Sequence, residues 1–208
     1  MKEGLTEIVA ILDKSGSMER LTHDTIGGYN AFIKEQQETP DSAILSTVLF
    51  STGNEIILHN RQNIKNVKPI TQNEYKAGGG TALLDAMGRA IRHIGMILSN
   101  TLEEERPSKV IFLIITDGEE NSSAEYTFDK VKSMVEHQKN KYSWEFLFMG
   151  ANIDAFSVAE SIGICQDRAY NYTSENIHEV QIAASIAVGN YRRHGNVDKG
   201  ESYRKKIK

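Results

Sequence analysis

The chain has 208 residues, 39% of them hydrophobic and 25% charged, with a net charge of −4. That length suits one α/β domain with a substantial core and is short for two, and the acidic balance argues against a nucleic-acid-binding body. The single cysteine, Cys165, excludes an intramolecular disulfide, so a reducing, cytoplasmic setting is expected.

Leu5 to Leu12 reads as a strand buried on both faces. Its apolar run, Ile8 to Leu12, stops at Asp13, too short for a membrane span and unlike a signal peptide. From His23 to Gln37, Ile26, Tyr29, Phe32 and Ile33 recur at helical spacing, and Pro40 closes the segment. Ser42 to Phe50 reads as a second strand. After the turn Ser51-Thr52-Gly53-Asn54, Glu55 to His59 returns as a third, and so short a connection dictates an antiparallel hairpin.

Asn60 to Lys76 is polar and irregular. Thr81 then opens a helix with Leu83, Leu84, Met87, Ile91, Ile94 and Leu98 at its apolar positions. Val110 to Ile115 is the most hydrophobic strand and is expected near the centre. Tyr126 to Lys141 reads as a helix, Trp144 to Met149 as a strand and Asp154 to Ile162 as a short helix. Ile164 to Tyr170 is expected as an edge strand and Ser174 to Arg193 as the last helix. Strands separated by helices dictate a doubly wound, mostly parallel sheet with helices on both faces, and ligands there bind beyond the strands' carboxyl ends. Residues 1–193 are thus expected as one domain and 194–208 as a basic tail.

Three segments converge on one chemistry. Asp13-Lys14-Ser15-Gly16-Ser17 ends the first strand, Gly78-Gly79-Gly80-Thr81 opens a helix, and Thr116-Asp117-Gly118 ends a second apolar strand. The spacing of Asp13, Ser15 and Ser17 by two lets their side chains share one side of an extended segment. Hydroxyls and carboxylates without His or Cys are the hard oxygen set that suits Mg²⁺ or Mn²⁺.

The DxSxS run at Asp13, Ser15 and Ser17, with Thr81 and Asp117, resembles the metal-ion-dependent adhesion site of von Willebrand factor type A domains. The resemblance runs from about Leu5 to about Arg193. It implies a six-stranded Rossmann-like sheet of order 3-2-1-4-5-6 with strand 3 antiparallel. It also implies that Ser15 and Ser17 bind metal directly, that Asp13 commonly acts through water, and that Thr81 and Asp117 complete the set, directly or through water according to the domain's state. The implied activity is protein recognition without catalysis, in which a partner protein's Asp or Glu completes the coordination of Mg²⁺ or Mn²⁺.

Other readings stay beside it. Ser and Asp after a strand also serve as plain turn and cap residues, and the fold could carry a vestigial metal site. Gly78-Gly79-Gly80 resembles a phosphate cradle but lacks the P-loop Lys-Ser/Thr pair. An Asp ending the first strand also resembles haloacid-dehalogenase-like phosphotransferases. Those need a second Asp where this chain has Ser15, which cannot shuttle a proton near neutral pH. Glu119 and Glu120 read as solvated, helix-leading acids. The six histidines stand singly with no zinc spacing, and Cys165 reads as a buried, inert thiol. From Arg192 onward the local charge is +5, leaving −9 on the rest. That tail reads as a solvated end complementing the last helix dipole, with weak contact to an anionic surface or nucleic acid as its sharper use.

Overall fold

The structure, a computed structural model, describes residues 1–151, 153–173 and 176–197. Six strands form one sheet: β1 (Lys2–Asp13), β2 (Ser42–Ser51), β3 (Asn54–Asn63), β4 (Pro107–Thr116), β5 (Glu145–Ala151) and β6 (Ala169–Tyr172). Their order is β3-β2-β1-β4-β5-β6, with only the β2–β3 pair antiparallel. The helices are α1 (Thr22–Glu38), α2 (Leu83–Ser99), α3 (Phe128–Tyr142), α4 (Ala155–Ser161) and α5 (Ile177–His194).

Alternation along the two central strands builds the layers. Ile8, Ala10 and Leu12 of β1 and Ile111, Leu113 and Ile115 of β4 pack with Tyr29, Phe32 and Ile33 of α1 and Val180, Val188 and Tyr191 of α5. Val9 and Ile11, with Val110, Phe112 and Ile114, face α2, α3 and α4 on the other side. Each such side chain contributes about 1.5–3 kcal/mol on burial, so a strand apolar on both faces is pinned at the centre. Asp13 and Thr116 end β1 and β4 at the same sheet edge, where parallel register places them side by side.

Three expectations change. The edge strand starts at Ala169 instead of Ile164. Gly163, at φ +81°, ends the α4 turn, and Ile164 N–H donates to Ala159 O, so Ile164 packs as a buried helix-closing residue. Cys165 is exposed, with Lys139 Nζ 3.4 Å from its Sγ. Arg192, counted with the basic tail, is fully buried: its guanidinium donates to Gln36 O at 2.6 Å, to Gln36 Oε1 at 3.0 Å and to Asp41 O. Gly195, at φ +73°, closes α5, and Val197 packs on the core. Ser174 and residues 198–208 lie outside the described residues.

Candidate metal centre

The Asp13 loop is fastened on both sides. Lys14 N–H donates to Phe50 O and Gly16 N–H to Gly79 O, while Gly78 N–H donates to Lys14 O, each at 2.8 Å. Gly79 takes φ +83°, a region open to glycine, and a Cβ at Gly80 would meet Ser122 Oγ at 2.2 Å. Both glycines are therefore needed to bring Thr81 against the first loop.

The third loop is stitched to α2. Thr81 N–H donates to Asn121 Oδ1 at 2.9 Å, and Asn121 and Ser122 N–H return to Thr81 O at 3.1 Å. Glu120 is no solvated acid. Its carboxylate accepts from Leu84 N–H at 2.9 Å, from Ser122 and Ser123 N–H at 2.9 and 2.7 Å, and from the Ser123 hydroxyl. It thereby satisfies an orphan N–H in the first turn of α2 and complements that helix's dipole. Asp85 reciprocates from α2, accepting from the N–H groups of Ala124, Glu125 and Tyr126.

All five expected side chains lie on these three loops. Ser15 Oγ is 3.1 Å from Ser17 Oγ, and the Ser17 hydroxyl donates to Asp117 Oδ1 at 2.6 Å. A Cβ at Gly118 would lie 2.5 Å from Thr81 Oγ1 and 3.3 Å from Ser17 Oγ, which puts both hydroxyls around one point. Asp13 stands behind them with both oxygens engaged. Its Oδ1 accepts from Ser15 N–H at 2.7 Å and its Oδ2 from the Thr116 hydroxyl at 2.6 Å. The Tyr75 hydroxyl donates to Asp13 O.

One oxygen stands apart: Asp117 Oδ2 is buried and has no hydrogen-bond partner among the described residues. An orphaned carboxylate oxygen beside two serine hydroxyls, one spending its hydrogen on Asp117, leaves lone pairs that suit a hard cation. Burial pushes the Asp13 carboxyl up; the Thr116 and Ser15 hydrogen bonds oppose it, and the Asp117 charge adds to the rise. Burial likewise raises Asp117, opposed by the Ser17 hydrogen bond and the Arg20 charge. Two desolvated carboxylates near one another are the situation a bound divalent ion reverses. The donor set fits the ion.

Sequence reasoning missed the residues that hold this arrangement: Thr116, Tyr75, Glu120 and Lys14. Lys14 is 3% exposed, its Nζ 3.3 Å from Ser51 Oγ, and burial lowers its ammonium pKa. Thr116 carried a signal, since it precedes Asp117 at a strand end. Tyr75 lies in an aperiodic stretch and carried none. His23, the histidine nearest the Asp13 loop in sequence, has a side chain 95% exposed. No group of three His, Cys, Asp or Glu poised for a metal occurs among the described residues. The candidate donors are hydroxyls together with the two carboxylates.

No family model and no curated protein matches the chain. Solved structures do. The vWF domain of the type V pili tip protein Mfa5 from Porphyromonas gingivalis superposes with a TM-score of 0.63 at 11% identity, covering 92% of this chain and 97% of that one. BatB from Bacteroides thetaiotaomicron gives 0.59 at 14%, covering 90% and 99%. Proximal thread matrix protein 1 of the mussel byssus, with a zinc-occupied MIDAS motif, gives 0.54 at 17%, covering 86% of this chain. The chain spans 46% of that byssus protein's length. At these identities the likeness is one of fold, and strand order and layering agree with it. The chain has the von Willebrand factor type A fold.

Proposed function

We propose that this chain is a divalent-cation-dependent protein-binding module. Ser15, Ser17, Thr81 and Asp117 would hold Mg²⁺ or Mn²⁺, with Asp13 acting through water, as its fully engaged oxygens suggest. The observation that carries this reading is the buried, partnerless Asp117 Oδ2 beside the serine pair. The metal-bearing MIDAS motif of the byssus protein supports it by analogy of fold.

A cation bound mainly by neutral hydroxyls stays electrophilic and supplies a coordination position for an incoming carboxylate. An Asp or Glu presented by a partner protein suits that position. Arg20, whose charge reaches Asp117, would add attraction for the same acid. The three loops fix the oxygens from rigid strand and helix ends, so the metal surface is preorganised for binding. Recognition is favoured over phosphoryl transfer because Ser15 stands where that chemistry needs a second acid. A reducing, cytoplasmic setting belongs to the same reading and rests on the lone cysteine.

Calorimetric titration of Mg²⁺ and Mn²⁺ into wild type, Asp117→Ala and the Ser15→Ala/Ser17→Ala double variant tests the site. Saturable binding by wild type, lost in both variants with the fold retained by circular dichroism, is expected. Peptides bearing a central Asp or Glu should then bind only the metal-loaded wild type, and EDTA should release them. Equal metal affinity in all three proteins would refute the assignment.

A further inference from the structure

The end of the sheet opposite the metal centre carries a groove of about 810 Å³ between the later turns of α2 and α3. Buried Ile91, Val110 and Trp144 line it, and Met96 and Tyr142 stand open to solvent, 56% and 52% exposed. Its ionisable side chains are Arg92, Arg106, His137 and Lys141, and no Asp or Glu lines it. On a chain with 28 acids and 24 bases, that is a local inversion of charge. Arg92 has no hydrogen-bond or ion-pair partner among the described residues, and Lys141 has only the Tyr142 ring, 5.3 Å from Nζ to centroid.

A partner for this groove must bring an apolar side chain for the floor and carboxylates for the rim. The chain carries that chemistry at the same end of the fold. The 3-10 turn Glu103–Glu105 joins α2 to β4 immediately before Arg106 and Pro107 of the groove. Leu102 leads this turn and is 63% exposed. Glu103, Glu104 and Glu105 are all exposed, and none has an ion-pair partner among the described residues. An apolar tip followed by three free acids thus lies beside an apolar groove where Arg92 and Lys141 offer unpaired charge, while Arg106 is held by Thr101 O at 2.8 Å. Adjacent complementary patches are what a two-fold contact requires, because each copy gives and receives the same pair.

We propose that the chain self-associates through this face as a two-fold dimer. Leu102 of each copy enters the other's groove, and Glu103–Glu105 face the other copy's Arg92 and Lys141. The metal centre lies at the opposite sheet edge, so this contact does not depend on the function proposed above.

Sedimentation equilibrium of the full chain, over about a hundredfold range of concentration, tests the proposal. A monomer–dimer equilibrium is expected, with the dissociation constant raised at least about tenfold by R92E/K141E and by L102D. Adding E103K/E104K/E105K to R92E/K141E exchanges the charges and should restore association. Circular dichroism and Mg²⁺ titration verify that each variant keeps its fold and its metal centre. Trp144, the sole tryptophan, lines the groove, so its emission should change as wild type is diluted. A monomer throughout, or a dimer indifferent to both variants, overturns the proposal. A monomer whose Trp144 emission responds to an added fatty acid also overturns it, and assigns the groove to an anionic amphiphile.

Discussion

Gly118 sits where one methyl group would enter the candidate metal centre. A Cβ there lies 2.5 Å from Thr81 Oγ1 and 3.3 Å from Ser17 Oγ, the first about 0.9 Å inside ordinary contact. Gly118 is not among the positive-φ glycines, so Gly118→Ala acts through sterics alone. Thr81 cannot retreat as a unit, because Asn121 and Ser122 grip its N–H and carbonyl. Its hydroxyl must rotate away, or the 117–118 backbone must swing off Ser17. Overpacking of this kind costs about 1–3 kcal/mol in stability. The effect on metal is sharper, because Mg²⁺ holds its oxygens at about 2.0–2.1 Å in near-octahedral geometry. A hydroxyl displaced by most of an ångström ceases to be a direct ligand. We expect Mg²⁺ and Mn²⁺ affinity to fall at least about tenfold, equivalent to about 1.4 kcal/mol. Titration calorimetry beside urea unfolding separates the two effects. A destabilised G118A that binds metal like wild type would remove Thr81 and Ser17 from the site. An unchanged protein on both counts would refute the contact geometry itself.

The remaining predictions concern the frame. Arg192→Met keeps the buried stem but strands the Gln36 and Asp41 carbonyls that the guanidinium serves. Each orphaned acceptor costs about 1–3 kcal/mol, so urea unfolding should show a loss of about 2–5 kcal/mol; a loss below about 0.5 kcal/mol would contradict the latch. Burial holds the His59 imidazole below its ordinary value of 6.5, with Thr47 Oγ1 2.9 Å from Nδ1. A depressed folded pKa means the unfolded chain binds the proton first. His59's contribution is therefore complete above pH 6.5 and is lost as pH falls through the folded value. The melting temperature should decline over that window in wild type and less steeply in His59→Asn, and identical slopes would refute the assignment.

Much of the fold was legible because burial on both faces leaves an unambiguous mark. β1 and β4 show it as unbroken apolar runs, and the four-residue turn before β3 fixed the one antiparallel pair. The errors fall where a residue's partner lies outside its own local pattern. Ile164 is as apolar as a strand residue, yet Gly163 in the left-handed region turns it beneath α4. Arg192 reads as one of the basic charges near the chain's end because nothing in the local sequence announces Gln36 and Asp41, more than 150 residues earlier. Only tertiary packing makes a buried guanidinium tolerable, by serving it with carbonyls.

The candidate site divides along the same line. Asp13, Ser15, Ser17, Thr81 and Asp117 each stand at a strand end or beside a helix start, where periodicity locates the residue and the fold supplies convergence. Which oxygens remain free for a ligand is a different question, settled by partners no spacing encodes. Thr116 and the Ser15 N–H occupy both oxygens of Asp13, while Ser17 occupies one oxygen of Asp117 and leaves the other bare. Two aspartates of equal standing in the motif thus become a buttress and a candidate donor. Glu120 shows the converse, a residue that looks available in sequence and is consumed by the N–H groups around the start of α2. The acids that hold the loops together are those already saturated with hydrogen bonds. The one left unsaturated among them, Asp117, is where a cation has something to gain.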